Sequence, residues 1–168
     1  MMKTFEEFKF NNKSFDKVVG TDPKVLILGT MPGKLSLQKN QYYSHSRNSF
    51  WKLIYTLHNN ENIDIDYNDR TNFLKQNHIA IWDVCDQADR ESSLDADIKG
   101  VVPNDIEGFL KQYPTIEKIG FNGKKAEALY KRHFTKSNNI EYLTLLSTSP
   151  ANASYNFETK LKNWSQIL

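Results

Sequence analysis

The sequence has few of the residues that cross-link small proteins, since its 168 residues include a single cysteine, Cys85. One cysteine excludes a disulfide within the chain and cannot supply a four-cysteine zinc or iron–sulfur site. No His or Cys spacing is typical of a metal site, so we expect neither a metal nor another cofactor. The sequence also lacks a signal-peptide pattern and any run approaching ~18 apolar residues. We therefore expect a cytoplasmic protein that does not bind a membrane.

Charge of one sign is not in excess either, because the formal net charge is only +2. This balance permits nucleic-acid binding through a local basic groove but does not argue for it. The basic cluster at Lys124, Lys125, Lys131 and Arg132 fits a phosphate-facing helix or an ordinary solvated one. The hydrophobic content of 39% includes ten Phe and eight Tyr, enough for one sizeable core. We expect a single domain over residues 1–168.

Four short apolar runs predict buried strands, and each ends in residues that open a loop. The runs are Lys24–Gly29, Ile79–Val84, Ile116–Phe121 and Tyr142–Leu146. Helical spacing of apolar residues lies between and after them. It predicts helices over Phe50–Leu57, Asn72–Gln76 and Lys124–His133, and one starting near Asn156. Asn104 and Glu107 are predicted to cap a further helix before the third strand.

Strands that alternate with helices predict an α/β fold of three layers, α/β/α, around a central four-stranded parallel sheet. In such sheets ligands bind beside the carboxyl ends of the strands. The loops that follow the strands are therefore the segments to inspect for a site.

The first of these loops begins with Gly29-Thr30-Met31-Pro32-Gly33-Lys34. It is not a phosphate-binding P-loop, because only three residues separate its glycines and the lysine is followed by Leu35. By itself it fits a simple strand-end turn. The loop continues, however, into QYYSHSRNSFW at 41–51, which has more polar groups beside two tyrosines than packing requires.

Here the sequence resembles the uracil-DNA glycosylase superfamily, above all its hypoxanthine-DNA (deoxyinosine) glycosylase branch and next the mismatch-specific uracil glycosylases. The resemblance extends from residue 24 to the end of the chain, and the 41–51 run together with STSPAN is its specific part. The matching motifs are GTMPG at 29–33, QYYSHSRNSFW at 41–51, WDV at 82–84, RESSLD at 90–95, FNGK at 121–124 and STSPAN at 147–152. It implies a monofunctional enzyme that flips a deaminated base, hypoxanthine or uracil, out of DNA and hydrolyses its N-glycosidic bond. Such enzymes usually act as monomers.

The resemblance places Tyr43 where an aromatic ring stacks on the flipped base, although a loop aromatic covering the core is the alternative. Tyr42 is interpreted as such a core residue. Met31 occupies the motif position that usually holds the catalytic water, and its side chain cannot do so. Asn48 is the best substitute, and the alternative is that it merely caps the following helix. The departure at Met31 favours hypoxanthine over uracil as the substrate.

Base recognition is predicted for Asp83 and Asn122, at strand ends, and for Thr30 beside Met31. An ionised Asp83 can only accept a hydrogen bond, whereas the Asn122 amide can both donate and accept. Both residues also fit a simpler role in the turns that follow their strands. In STSPAN, Ser147 stands where relatives polarise the base carbonyl.

The remaining predicted contacts are with DNA. The resemblance assigns phosphate and minor-groove contacts to Ser149, Pro150, Ala151 and Asn152, unless this is an ordinary Ser/Pro loop. Arg47 is a plausible phosphate clamp and Lys124 another. Two rival hypotheses are a nucleoside hydrolase acting on small molecules and a non-catalytic binder of damaged DNA.

Overall fold

The order of elements alternates strands and helices through most of the chain. The computed structural model describes residues 12–89 and 99–168, so the RESSLD motif lies outside the described residues. In chain order the elements are β1 (Asn12–Lys13), β2 (Val25–Gly29), α1 (Lys34–Lys39), α2 (Phe50–Leu57), α3 (Tyr67–Gln76), β3 (Ile79–Asp83), β4 (Cys85–Asp89), β5 (Lys99–Pro103), α4 (Ile106–Gln112), β6 (Lys118–Asn122), α5 (Lys124–His133), β7 (Glu141–Leu145), α6 (Phe157–Trp164) and a short 3-10 helix (Ser165–Ile167).

The central sheet has four parallel strands in the order β3-β2-β6-β7. All residues of β2 and β3 are buried, as expected when helices cover both faces of a parallel sheet. Alternate residues of β2 face opposite layers. Leu26 and Leu28 belong to a buried cluster to which α4 and α5 contribute. Val25 and Ile27 belong to a second cluster with α2, α3 and α6, which confirms the predicted three-layer fold.

A second, smaller sheet was not predicted. It contains β1, β4 and β5 in the antiparallel order β1-β4-β5. The β4 segment reads CDQAD and carries no apolar alternation that would indicate a strand. Helix α1 was also missed, because its six residues are too few for a periodic pattern.

Two helix starts differ from the prediction. Helix α3 begins at Tyr67 rather than Asn72, because Asp66 caps it by accepting hydrogen bonds from the backbone N–H groups of Asn68 and Asp69. The prediction that Asn104 caps α4 is wrong. Asp105 accepts from the Gly108 N–H at 3.0 Å and is the cap. Asn104 instead donates from Nδ2 to the backbone carbonyl oxygens of residues 83 and 85.

The C-terminal helix starts where it was expected. The Asn156 side chain accepts a hydrogen bond from the Thr159 N–H at 2.8 Å, which caps α6. Within residues 12–89 and 99–168, no helix is both long enough and apolar enough to cross a bilayer.

Candidate active site

A cavity of about 260 Å³ opens at the carboxyl edge of the central sheet. The ends of β2, β3 and β6 and the loops after β2 and β7 form its walls, because parallel strands present these ends at one edge. Its volume lies just below the ~300–1,000 Å³ of most small-ligand pockets, which suits a group the size of one base. The residues that line it are Gly29, Thr30, Met31, Gly33, Leu35, Ser36, Tyr43, His45, Asn48, Asp83, Asn122, Ser147, Thr148, Ser149, Pro150 and Ala151.

Asp83, the last residue of β3, lines this cavity with only 2% of its surface exposed. Its Oδ2 atom accepts a hydrogen bond from the Tyr42 hydroxyl at 2.6 Å and another from the Ser14 hydroxyl at 3.1 Å. Burial, followed by the charge of Asp83 and this hydrogen bond, raises the pKa of Tyr42 well above its ordinary value of 10.0. The Tyr42 hydroxyl therefore stays protonated and remains a donor to the carboxylate at neutral pH.

Gly29, at the end of β2, allows the side chains of Asp83 and Tyr43 to approach the backbone closely. A Cβ atom at this position would lie 2.6 Å from Asp83 Oδ1 and 3.4 Å from the Tyr43 hydroxyl oxygen. The first distance is shorter than real Cβ contacts allow. The glycine is thus required by the site, and not only by the turn that follows it.

Tyr43 forms part of the cavity wall, and its backbone has a φ of 53°. This left-handed conformation is uncommon for a bulky residue. The Tyr43 ring rests against Phe50, with 4.6 Å between ring centroids, and its hydroxyl accepts a hydrogen bond from Asn122 Nδ2 at 3.1 Å. Tyr42 is buried, as predicted, but its hydroxyl bond to Asp83 is a role that the sequence did not indicate.

Asn122 joins the end of β6 to the STSPAN loop. Its Oδ1 accepts from the Thr148 N–H at 2.9 Å, and its Nδ2 donates to Thr148 Oγ1 at 3.0 Å as well as to Tyr43. Both amide protons are therefore used within the protein, which leaves one lone pair on Oδ1 for a ligand. Asn122 lines the cavity, yet these contacts give it mainly a structural task.

Asn48 lines the cavity and also lies at the start of α2. Its Oδ1 accepts a hydrogen bond from the Phe50 N–H at 3.0 Å, so the capping function expected as one alternative is present. Within the described residues, Nδ2 has no hydrogen-bond partner in the protein. Capping fixes the amide in place at the cavity wall, so the two interpretations of Asn48 are compatible.

His45 and Arg47 are the two residues of this segment with an ionisable nitrogen side chain. His45 lines the cavity, and its Nδ1 accepts from the Arg47 N–H at 3.1 Å, so the imidazole organises its own turn. The Arg47 side chain is exposed to solvent and does not line the cavity.

The GTMPG turn is fixed by backbone hydrogen bonds to the segment after β3. The Gly29 carbonyl accepts from the Val84 N–H at 2.8 Å, and the Thr30 carbonyl accepts from the Cys85 N–H at 3.1 Å. Thr30 and Met31 are both buried at 6% exposure and line the cavity. Met31 also belongs to a core cluster, so its thioether contributes an apolar wall and no water-holding group.

The STSPAN loop separates this cavity from a second one of about 390 Å³. Ser147, Ser149 and Ala151 line both cavities, and Pro150 lines the first alone. The second cavity is lined in addition by Lys124 and Asn152, together with the exposed Tyr155. The predicted site residues thus fall into one contiguous region, with Arg47, Lys124 and Asn152 outside the first cavity.

Sequence reasoning assigned no individual role to Ser14, Gly29, Leu35 or Thr148, although Gly29 and Thr148 lie within the GTMPG and STSPAN motifs. Thr148 is buried and bonded to Asn122, and Leu35 is an exposed apolar residue on the cavity wall. The signal for Gly29 was its place at a strand end, since a glycine there permits close approach, whereas Ser14 and Leu35 had none. The described part of the chain holds no group of three or more His, Cys, Asp or Glu side chains arranged to bind a metal ion.

Comparison with known proteins gives relatives in the same superfamily that the sequence motifs resemble. A family model described as the uracil DNA glycosylase superfamily matches residues 17–168. A protein named hypoxanthine DNA glycosylase from Methanosarcina barkeri is 31% identical over 154 residues, covering 92% of this chain and 96% of that protein. A protein of the same name from Methanosarcina acetivorans is 35% identical over 114 residues, covering 68% and 72%. A solution NMR structure from M. acetivorans, provisionally described as a uracil DNA glycosylase, superimposes with a TM-score of 0.78 at 31% identity, covering 93% and 95%.

Proposed function

Because the chain belongs to the uracil DNA glycosylase superfamily, we propose that it removes deaminated bases from DNA, hypoxanthine in preference to uracil. It is a DNA glycosylase, a hydrolase that acts on N-glycosyl bonds. The observation that carries the substrate proposal is the base-sized cavity with Tyr43, Asn48 and Asp83 on its walls. The relatives named hypoxanthine DNA glycosylase support the choice of base.

The base must first leave the duplex, because its glycosidic bond is inaccessible inside the stack. In the proposal, the flipped base stacks on Tyr43, whose ring is backed by Phe50 and whose hydroxyl is held by Asn122. Stacking on an aromatic ring contributes ~1–3 kcal/mol per base, which offsets part of the unstacking cost. A ring fixed on two sides loses little additional freedom when the base arrives.

Asp83 reads the edge of the base. Hypoxanthine and uracil both present an N–H beside a carbonyl, and an ionised carboxylate can accept from that N–H. Thr30 contacts the same edge from the neighbouring turn. Asn122 serves mainly to hold Tyr43 and the STSPAN loop, since its two amide protons are already used within the protein.

Cleavage of the bond passes through an oxocarbenium-like sugar while negative charge moves onto the base. Asn48 positions the attacking water, with Nδ2 as the donor and the second Oδ1 lone pair as an acceptor. An amide is a poor base, so most of the barrier reduction comes from electrostatic stabilisation. Ser147 donates to the departing base, and Met31 contributes the backbone of its turn and an apolar wall.

The DNA strand runs across the STSPAN loop. Ser149, Pro150, Ala151 and Asn152 contact its sugar–phosphate backbone, and the second cavity continues this path toward Lys124. Arg47 clamps a phosphate beside the STSPAN loop, because Ser49, two residues further along, donates its backbone N–H to the Thr148 carbonyl at 3.1 Å. We propose further that residues 1–168 act as one domain, as a cytoplasmic monomer without metal or cofactor. The enzyme leaves an abasic site uncut, because the described residues that line the first cavity include no lysine that could form a Schiff base.

The test is incubation with oligonucleotides that contain hypoxanthine, uracil or xanthine, single- and double-stranded, followed by alkali. The expected result is alkali-dependent cleavage, fastest at hypoxanthine. Binding of these oligonucleotides without any base release would instead indicate a non-catalytic binder. Hydrolysis of free inosine with intact DNA substrates would indicate a nucleoside hydrolase.

A further inference from the structure

The carboxylate at the base cavity is held by two hydroxyl groups that come from distant parts of the chain. Tyr42 and Ser14 lie 41 and 69 residues before Asp83, and both donate to the same oxygen, Oδ2. All three side chains are buried, with exposed fractions of 1%, 7% and 2% for Tyr42, Ser14 and Asp83. Neither donor is open to solvent, so water does not compete for these bonds; the other acceptor near the Ser14 hydroxyl is the Phe15 carbonyl oxygen, at the longer distance of 3.3 Å.

Ser14 lies outside residues 17–168, the part of the chain that matches the family model. Its position is nevertheless fixed. Strand β1 pairs with β4, and the Ser14 N–H donates to the Asp86 carbonyl at 2.8 Å. The adjacent Phe15 packs edge-on against the Tyr42 ring, with 4.4 Å between centroids. The N-terminal segment therefore supports the Asp83 carboxylate both directly and through Tyr42.

Tyr42 is held equally firmly at its backbone. Its N–H donates to the Tyr67 hydroxyl at 3.1 Å, and its carbonyl accepts from Trp51 Nε1 at 3.0 Å. With Oδ2 fixed in this way, the other carboxylate oxygen, Oδ1, lies on the side of Gly29 and the Tyr43 hydroxyl. The carboxylate consequently has one orientation relative to the cavity.

We propose that Ser14 and Tyr42 are positioning residues that keep Asp83 an oriented acceptor, and that this makes the cavity select bases with an N–H at the recognised edge. The inference rests on the proposed function. Hydrogen bonds to a carboxylate favour its charged form, which accepts but cannot donate. Hypoxanthine offers its N1–H at this edge, whereas adenine offers a lone pair at N1 and has its N–H groups only on the neighbouring amine. A carboxylate fixed against N1 therefore binds hypoxanthine in preference to adenine, the normal base from which it arises.

The expected effect lies in binding and discrimination more than in the chemical step, because Asp83 is assigned to the N–H edge of the base and Ser147 to the charge that moves onto the base. Uniform binding of this kind changes KM and leaves kcat nearly constant. Loss of a hydrogen bond to a charged group corresponds to roughly a tenfold change in affinity. Tyr42→Phe and Ser14→Ala should therefore each raise KM for deoxyinosine DNA about tenfold.

The experiment compares the Tyr42→Phe, Ser14→Ala and Asp83→Asn variants with a matched control, Tyr55→Phe. Tyr55 is also fully buried and donates to an aspartate, Asp64 Oδ2, at 2.7 Å, but it does not line the cavity. Two quantities are measured for each variant. These are kcat and KM on deoxyinosine DNA, and the ratio of affinities for uncleavable 2′-fluoro DNA containing hypoxanthine or adenine.

The proposal predicts that Tyr42→Phe, Ser14→Ala and Asp83→Asn reduce the hypoxanthine-to-adenine ratio about tenfold, whereas Tyr55→Phe changes only thermal stability. If the wild-type protein releases the base but Ser14→Ala and Tyr42→Phe keep its hypoxanthine-to-adenine affinity ratio, only the positioning role is overturned. Equal loss of the ratio in Tyr55→Phe would show a general packing effect and overturn it as well. If the wild type releases no base and also shows no binding preference for hypoxanthine DNA, the proposed function is overturned together with this inference.

Discussion

Replacement of Gly29 by alanine tests whether the site depends on the close approach of Asp83 to the β2 backbone. The new Cβ would lie 2.6 Å from Asp83 Oδ1, so the carboxylate must retreat by about half an ångström. It cannot rotate away without breaking its bonds from Tyr42 and Ser14. A misplacement of ~1 Å in an active site costs on the order of 100-fold, so we expect kcat/KM to fall about 10- to 100-fold, mainly through a higher KM because Asp83 acts in binding the base.

Gly120→Ala is the matched control for Gly29→Ala. Gly120 lies within β6, where a Cβ would meet Leu145 Cδ1 at 2.7 Å and Ile27 Cδ1 at 3.0 Å, away from the cavity. Both substitutions overpack buried space and should cost about 1–3 kcal/mol of stability. The rate of base release at subsaturating DNA, which reports kcat/KM, and thermal unfolding are measured for both. If both variants lose several degrees of Tm but Gly29→Ala keeps the wild-type rate, the close approach has no role in the site.

Further predictions concern the water, the stacking ring, the DNA path and acid stability. Asn48→Ala should lower the single-turnover rate about 100-fold, whereas Asn156→Ala, which removes a similar helix cap outside the cavity, should lower only Tm. Tyr43→Ala should weaken binding of hypoxanthine DNA by roughly 5- to 150-fold, measured by fluorescence anisotropy. Lys124→Ala should reduce the slope of log affinity against log salt by about 1. Hydrogen bonds from Lys131 and Thr144 lower the pKa of Glu127 below 4.5, so this stabilisation is present above that pH and lost as pH falls. Between pH 6 and pH 3, Tm should therefore fall more in the wild type than in Glu127→Gln.

Much of the fold could be predicted from the sequence because buried parallel strands produce continuous apolar runs. The runs at Val25–Gly29 and Ile79–Asp83 are entirely buried and end at polar or glycine-containing loops. The topology then brings the loop residues together, since parallel strands end at one edge. Met31, Tyr43, Asn48, Asp83 and Ser147 were expected near one another for this reason, and they line one cavity.

The parts that could not be predicted depend on contacts between distant residues. Asn104 and Asp105 are both good capping residues, and the choice between them is made by the bond from Asn104 to the Asp83 carbonyl. The short strand β4 has a polar sequence and forms because β1 and β5 supply its hydrogen-bond partners. The link from Ser14 to Asp83 spans 69 residues and leaves no local pattern.

The central claim is that the base-sized cavity receives a flipped hypoxanthine and releases it from DNA. The most direct measurement is chromatographic detection of free base after single-turnover incubation with a duplex containing one deoxyinosine, using wild type, Asn48→Ala and Tyr43→Ala. We expect stoichiometric release of hypoxanthine by the wild type, with intact strands before alkali, and strongly reduced release by both variants. If the wild type and Asn48→Ala release hypoxanthine equally well while Tyr43→Ala is inactive, the assignment of the water to Asn48 is contradicted. No free hypoxanthine from the wild type, on a duplex that it binds, would contradict the claim itself.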